Sequence, residues 1–259
     1  MTIDFSPVTE TPGLAVTREN LSMAVSRYAL AAKLAAGADV LEVGCGRGQG
    51  LGWMAGTARR VVGGDYTATL LSGARRHYGE RVPLVRLSGD ALPFRPGSFD
   101  LVVVLEAIYY LPDAARFAEE CRRVLRPGGT VLVCTVNPAW PDFNPSPMST
   151  RYLTAPALAH TLTAAGFDVE LSAAFPAHSG SARERAVSVV KRVAVRCGLV
   201  PRTLQGRALL KRLFLGPVVP YPIELQEELA PSWRQHSIPS TDDASGFKVI
   251  YAVGHLQCR

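Results

Sequence analysis

An α/β fold is predicted: a doubly wound, seven-stranded, mainly parallel sheet with a helical cap inserted between its last two strands. Three observations predict it. Apolar runs of strand length alternate with segments whose apolar residues recur at helical spacing. Glycines and acids recur where each strand should stop, which gathers them at one edge of a parallel sheet. About 70 residues separate the final two strand-like runs, where a compact sheet needs only a short connection.

The elements follow in order. Asn20–Ala36 carries apolar residues at helical spacing (Leu21, Ala24, Val25, Tyr28, Ala31, Ala32, Ala35), with Gly37 as its stop. The first strand is Asp39–Val43, followed by a glycine turn and a helix to about Ala58. Arg60–Gly64 is a short strand ending at Asp65, and Thr67–Tyr78 is a helix with Thr67 as its N-cap. Val82–Leu87 is the third strand, ending near Gly89 and Asp90. A loop with two prolines leads to the strand Phe99–Leu105. Asp113–Leu125 is helical and closed by the turn signal Arg126-Pro-Gly-Gly129. Thr130–Val136 is the fifth strand, Ala155–Ala165 a helix, Phe167–Phe175 the sixth strand and Phe247–Leu256 the last. Residues 1–175 and 247–259 therefore read as the core, and 176–246 as the cap.

Composition narrows the class. The chain has 259 residues, 47% of them apolar, enough for a sizeable core. No apolar run reaches the roughly 18 residues that cross a bilayer. The start, Met1-Thr-Ile-Asp-Phe-Ser, has neither a basic nor an apolar leader region, so a cytoplasmic protein is expected. The chain stops soon after the last strand, so no second catalytic domain is expected. Five dispersed cysteines without a C-x-x-C pair read as reduced thiols, and no metal site is expected. Residues 1–175 hold 16 basic and 16 acidic side chains, whereas residues 176–259 hold 12 and 6, so the whole excess of +6 lies in the later part.

The run Val40-Leu-Glu-Val-Gly-Cys-Gly-Arg-Gly-Gln-Gly50 carries the most information. Strand, glycine turn and helix bring backbone N–H groups close to a polar ligand. A dinucleotide turn of the form G-x-G-x-x-G would need glycine at 49, which is Gln; the glycines stand at 44, 46 and 48. Asp65, at the next strand end, suits the two hydroxyls of a ribose but does not distinguish one nucleotide ligand from another.

Three further segments do distinguish. They are Gly89-Asp-Ala-Leu-Pro-Phe94, Phe99-Asp-Leu-Val-Val-Val-Leu-Glu-Ala-Ile-Tyr-Tyr-Leu-Pro112 and Glu120-Cys-Arg-Arg-Val-Leu-Arg-Pro-Gly-Gly129. With the glycine turn, they resemble in order and spacing the motifs of the class I S-adenosylmethionine (SAM) dependent methyltransferases, of the small-molecule type, over residues 30–137. The resemblance implies a Rossmann-like sheet and SAM as cofactor. It also implies roles by position. Gly44 and Gly46 would pack on the methionine part of SAM, with Cys45 inside the turn and Glu42 supporting it. Asp65 would take the ribose, and Tyr66 would lie against the adenine. Asp90 and the backbone of Ala91 would read the adenine edge, and Glu106 would face the site. Arg27 and Tyr28 would help close it.

If the acceptor is a hydroxyl or ammonium, a base must take its proton. Tyr109 and Tyr110 stand where many relatives carry histidine; with His178 they are the candidate catalytic residues, Glu106 and His236 being further bases. His77 and His160 read as surface residues and His255 as structural. The loop Asn137-Pro-Ala-Trp-Pro-Asp-Phe-Asn-Pro-Ser-Pro147 follows the fifth strand at the same edge, so Trp140, Phe143 and Asn144 are candidate acceptor-pocket residues.

The cap would sit above the site. Arg183–Arg196 and Gly206–Leu215 each have a helical apolar stripe with a basic opposite face, and Arg183–Arg212 holds nine basic residues and one acid. Four readings of that face stay open: a solvated surface, recognition of an acidic or phosphorylated acceptor, peripheral contact with an anionic membrane, and, least supported, nucleic-acid binding, for which interleaved aromatics are absent. A SAM-dependent methyltransferase for a small-molecule acceptor of specialised (natural-product) metabolism is the function expected. A lipid-linked or sugar acceptor of the envelope is the alternative, and a SAM-binding protein without methyl transfer is the alternative of another class. Acceptor atom and oligomeric state are not legible.

Overall fold

The computed structural model of the chain describes residues 3–177 and 218–257. Both expected cap helices, together with His178 and the nine basic residues of 183–212, lie outside the described residues.

The elements are β1 (Ala15–Thr17), α1 (Arg18–Leu34), β2 (Asp39–Val43), α2 (Leu51–Ala55), β3 (Arg60–Asp65), α3 (Ala68–Tyr78), β4 (Leu84–Arg86), β5 (Phe99–Leu105), α4 (Ala114–Val124), β6 (Leu125–Val136), α5 (Ala155–Ala164), β7 (Phe167–Pro176), β8 (Val218–Pro220), β9 (His236–Ser237) and β10 (Phe247–Leu256). The main sheet has the order β4-β3-β2-β5-β6-β10-β7-β9. Strands β4, β3, β2, β5 and β6 run parallel, and β10 runs antiparallel between β6 and β7.

The sheet has eight strands rather than the seven expected, because β9 adds at the far edge against β7. Its two residues are too few to show any alternation in sequence. A separate pair, β1 with β8, joins Ala15–Thr17 to Val218–Pro220. The Arg126-Pro-Gly-Gly129 turn bulges out of the ladder, since Leu125 pairs with Phe99 and the pairing resumes at Thr130 with Leu101. It lies inside β6, and the register between β5 and β6 shifts between Phe99 and Leu101. Gly128, at φ +77°, gives the strand its bend without strain. Thr67 precedes α3 but its side chain does not cap it; instead Thr67 Oγ1 accepts from Phe5 N–H.

Period-two alternation divides the core between the two faces. On one face Leu101, Val103, Leu132 and Cys134 pack with Val25, Ala31, Met54 and Leu71 from α1, α2 and α3. On the other Val102, Val104, Val131 and Val133 pack with Phe117, Cys121, Leu158 and Leu162 from α4 and α5. From β2 the chain moves outward to β4, then returns to β5 on the other side. The switch between β2 and β5 opens a crevice beyond their carboxyl ends, where ligands bind in such sheets. At the opposite edge an ion network ties the strand starts: Arg59 grips Asp39 through two bonds of 2.9 and 2.6 Å, and Arg126 bridges Asp39 and Asp100. No helix among the described residues is long and apolar enough to cross a membrane.

Candidate active site

The glycine spacing has a direct backbone cause. Gly44, Gly46 and Gly48 stand at φ +78°, +58° and +83°, in the left-handed region that other residues enter only at a cost. Gly44 is fixed twice over, since a Cβ there would lie 2.5 Å from Ala107 Cβ at the end of β5. Gln49, the residue that departs from a dinucleotide turn, is buried, and its Nε2 donates to Glu10 O at 2.9 Å.

Asp65 ends β3 and ties two loops. Its Oδ2 accepts from Gly46 N–H and its Oδ1 from Thr67 N–H, both at 2.8 Å. Burial raises its pKa while these N–H bonds pull the other way. A carboxylate offers about four acceptor positions, so each oxygen keeps capacity for a diol. Tyr66, next in sequence, is 37% exposed and has the Arg86 guanidinium 5.8 Å from its ring centroid.

Glu42 and Arg27 are the unusual pair. Glu42 Oε1 accepts from the Tyr28 hydroxyl at 2.6 Å, but its Oε2 is buried without a hydrogen-bond partner. Burial pushes this carboxyl up to about 7. Arg27 Nη1 lies 3.0 Å from Glu106 Oε1, while its Nε is also buried and unpartnered. Burial is the largest influence and opposes the Arg27 charge, but Glu106, together with Cys134, Glu10 and Tyr221, outweighs that and holds the guanidinium protonated. Glu42 Oε2 and Arg27 Nε thus stand unsatisfied, with Arg47 Nε in the glycine turn a second buried donor in that state, which is costly unless a ligand completes them.

Asp90 is half-buried after β4 and accepts a short hydrogen bond from the Ser88 hydroxyl. The backbone N–H of Ala91, expected to meet a ring, donates to Ser88 O at 3.3 Å and closes that turn. Cys45 is buried, and burial raises its thiol well above the usual range.

Beyond β5, Glu106 has φ +53°, a strained value for glutamate, of the kind that clusters at functional sites. Its Oε2 accepts from Tyr109 Oη at 3.1 Å and from Val136 N–H at 3.3 Å. Tyr109 is buried; burial, with the Glu106 carboxylate beside it, holds its phenol well above the usual range. Its ring stacks on Tyr152 at 4.3 Å and meets Tyr110 at 4.6 Å. Tyr110 Oη and Ser146 Oγ are 2.7 Å apart, and Tyr152 Oη accepts from Ser146 N–H.

Of the three loop residues expected to line an acceptor pocket, only Phe143 joins this ring cluster, 4.7 Å from Tyr152. Trp140 instead carries the Lys248 ammonium 5.7 Å from its ring, and Asn144 is exposed. His236 lies exposed on the edge strand β9, against Phe247. His77 is not a free surface residue: it lies 2.5 Å from Glu224, which Arg81 also meets at 3.2 Å.

Sequence reasoning missed Tyr152, Asn137 and the segment Phe5–Glu10. Asn137 Nδ2 donates to the carbonyls of Asp243, Ala244 and Phe247, pinning the loop after β6 to the entry of β10. Its place directly after a strand and before proline was the signal. Among the described residues no group of three or more His, Cys, Asp or Glu is placed to hold a metal ion.

Residues 41–133 match a family described as a methyltransferase domain. A probable S-adenosylmethionine-dependent methyltransferase of Mycolicibacterium smegmatis is 42% identical over 149 residues, covering 55% of this chain and 57% of that protein. A ubiquinone biosynthesis O-methyltransferase of Chelativorans sp. is 33% identical over 136 residues, covering 51% and 52%. The chain thus spans little more than half the length of these curated relatives. Among solved structures, a SAM-dependent methyltransferase from Thermotoga maritima, described as a possible histamine N-methyltransferase, superposes with a TM-score of 0.57 at 13% identity. The match covers 92% of each chain and shows likeness of fold alone.

Proposed function

Taking as premise that residues 41–133 form a methyltransferase domain of the class I, SAM-dependent family, we propose that this protein methylates a small-molecule acceptor. SAM is its cofactor, and when bound supplies a methyl group activated on a sulfonium. The observation that carries the reading is the unsatisfied pair at the crevice. Glu42 Oε2 lacks a donor and Arg27 Nε lacks an acceptor, which suits the ammonium and carboxylate of an amino-acid end. Asp65 has acceptor capacity for the ribose hydroxyls, Tyr66 offers a ring face to adenine, and Asp90 a carboxylate to its amine.

The acceptor reading rests on the cluster of Tyr109, Tyr110, Tyr152 and Phe143 beside the Glu106 carboxylate. Rings of this kind favour a flat or apolar acceptor, and one neighbour is itself an O-methyltransferase of ubiquinone biosynthesis. Tyr109 would take a proton from the acceptor hydroxyl while its own passes to Glu106 Oε2, 3.1 Å away, so no free phenolate forms. We read residues 176–246 as a cap and the protein as cytoplasmic, acting in specialised metabolism. Titration with S-adenosylhomocysteine (SAH), then transfer of labelled methyl from SAM to a panel of phenolic acceptors, tests this. Absence of SAH binding would overturn it, and binding without any labelled product would favour a SAM-binding protein that does not transfer methyl.

A second acceptor class, a lipid-linked molecule of the envelope, is favoured by one observation. Ile223, Leu229 and Trp233 are 53%, 42% and 46% exposed on the stretch that follows the basic segment. Co-sedimentation with anionic vesicles that weakens as salt rises would support it.

A further inference from the structure

The first described residues cross the crevice rather than trail from it. Asp4 Oδ1 accepts from Thr69 Oγ1 at 3.3 Å, Phe5 N–H donates to Thr67 Oγ1 at 3.3 Å, and Ser6 Oγ lies 2.9 Å from Thr69 Oγ1. These bonds fasten the segment to the start of α3, two to four residues beyond Asp65. Further along, Thr9 Cγ2 packs 3.2 Å from where a Cβ of Gly46 would stand, and Glu10 O accepts from Gln49 Nε2. Those contacts fasten it to the glycine turn on the other side. Between them the Phe5 ring lies 6.2 Å from Tyr66 and 5.2 Å from Tyr110. One ring thus bridges the residue assigned to adenine and a residue of the acceptor cluster.

The attachments are few: hydrogen bonds, one methyl contact and two ring contacts. Residues Asp4–Glu10 contain a single 3-10 turn, Ser6–Val8, with no buried residue, and belong to no strand. Helix α3 and the glycine turn are held independently, by core packing and by Asp65. Lifting the segment would break the bonds named above and the side-chain bond between Glu10 and Tyr221, and leave both walls of the crevice standing. Covering contacts that are separable from the core are what a removable wall requires.

We propose that Asp4–Glu10 is a strap forming the outer wall of the cofactor cleft, with Phe5 as its wedge, and that the strap must lift for SAM to enter and SAH to leave. This rests on the SAM reading above. It makes Phe5 a positioning residue that divides the cofactor from the acceptor, outside the matched methyltransferase segment.

The test uses stopped-flow measurement of SAH association and dissociation on the full chain. Phe5→Ala should raise the dissociation rate at least tenfold. In a second variant, Ser6→Cys with Thr69→Cys, with Cys197 and Cys258 changed to serine, an oxidised cross-link should pin the strap. Oxidation should slow both association and dissociation at least tenfold, and reduction should restore them, which also shows that the variant is folded. Unchanged rates in Phe5→Ala and in the oxidised pair, with SAH still binding, would overturn the strap alone. No SAH binding to the unaltered chain would overturn the cofactor reading and the strap with it.

Discussion

Replacing Glu42 by glutamine should make the ligand-free protein more stable at pH 8 while impairing the cofactor site. The carboxyl is raised from 4.5 to about 7 by burial. Between those values the unfolded chain has lost its proton and the folded chain keeps it. Stability therefore falls as pH rises from 4.5 towards 7 and levels off above. At 1.36 kcal/mol per pH unit the full loss is about 3 kcal/mol. Most of this, roughly 2–3 kcal/mol, accrues between pH 5 and pH 8. Glutamine is neutral throughout and can still accept from the Tyr28 hydroxyl. Its amide leaves a buried donor in place of Oε2, which costs about 1–3 kcal/mol at every pH. The constant cost cancels when two pH values are compared. Relative to wild type, Glu42→Gln should thus gain about 2–3 kcal/mol between pH 5 and 8, or roughly 5–10 °C in melting temperature. Urea and thermal unfolding at both pH values, with and without SAH, would measure it. The SAH-induced rise in melting temperature should shrink in the variant. A pH-independent stability difference, or a full SAH response in Glu42→Gln, would refute the reasoning.

Other expectations bear on the rest of the site. Asp65→Ala should weaken SAH binding at least tenfold by calorimetry, since it removes both the acceptor and the tie between Gly46 and Thr67. Gly44→Val should weaken it as strongly, because φ +78° and Ala107 both oppose a side chain. Tyr109→Phe should keep SAH affinity and lose about 10²-fold or more in turnover; normal turnover would remove Tyr109 and the Glu106 relay from the chemistry. Asn137→Ala strips a buried amide from three carbonyls and should cost about 2–4 kcal/mol in urea unfolding, with a raised KM for the acceptor.

The parallel sheet, and the gathering of its glycines and acids at one edge, were legible because each signal was local. A strand such as Phe99–Leu105 announces itself by composition, and the acid or glycine at its end follows by adjacency. The glycines at 44, 46 and 48 could be read because a positive φ leaves its mark on residue type. What escaped was built from distant partners. His77 meets Glu224 across 147 residues, and nothing in either neighbourhood predicts the other. Strands β1, β8 and β9 have two or three residues, shorter than any periodicity can show. The strap Asp4–Glu10 has no helical or strand repeat, and its meaning comes only from what it crosses. Tyr152 follows a proline-rich loop whose return path cannot be traced from composition, so the ring that stacks on Tyr109 went unnamed.

Gln49 has one more consequence. Its side chain holds Glu10 O on one side, and its backbone O accepts from Leu225 N–H at 2.6 Å on the other. The segment around Glu10 and the segment around Leu225 are therefore moored to one residue of the glycine turn. A tag fused ahead of Met1 would hang from that mooring, a few residues from the crevice. Affinities measured on an N-terminally tagged protein should then differ from those of a C-terminally tagged one, and the choice of fusion end becomes a variable of any binding experiment.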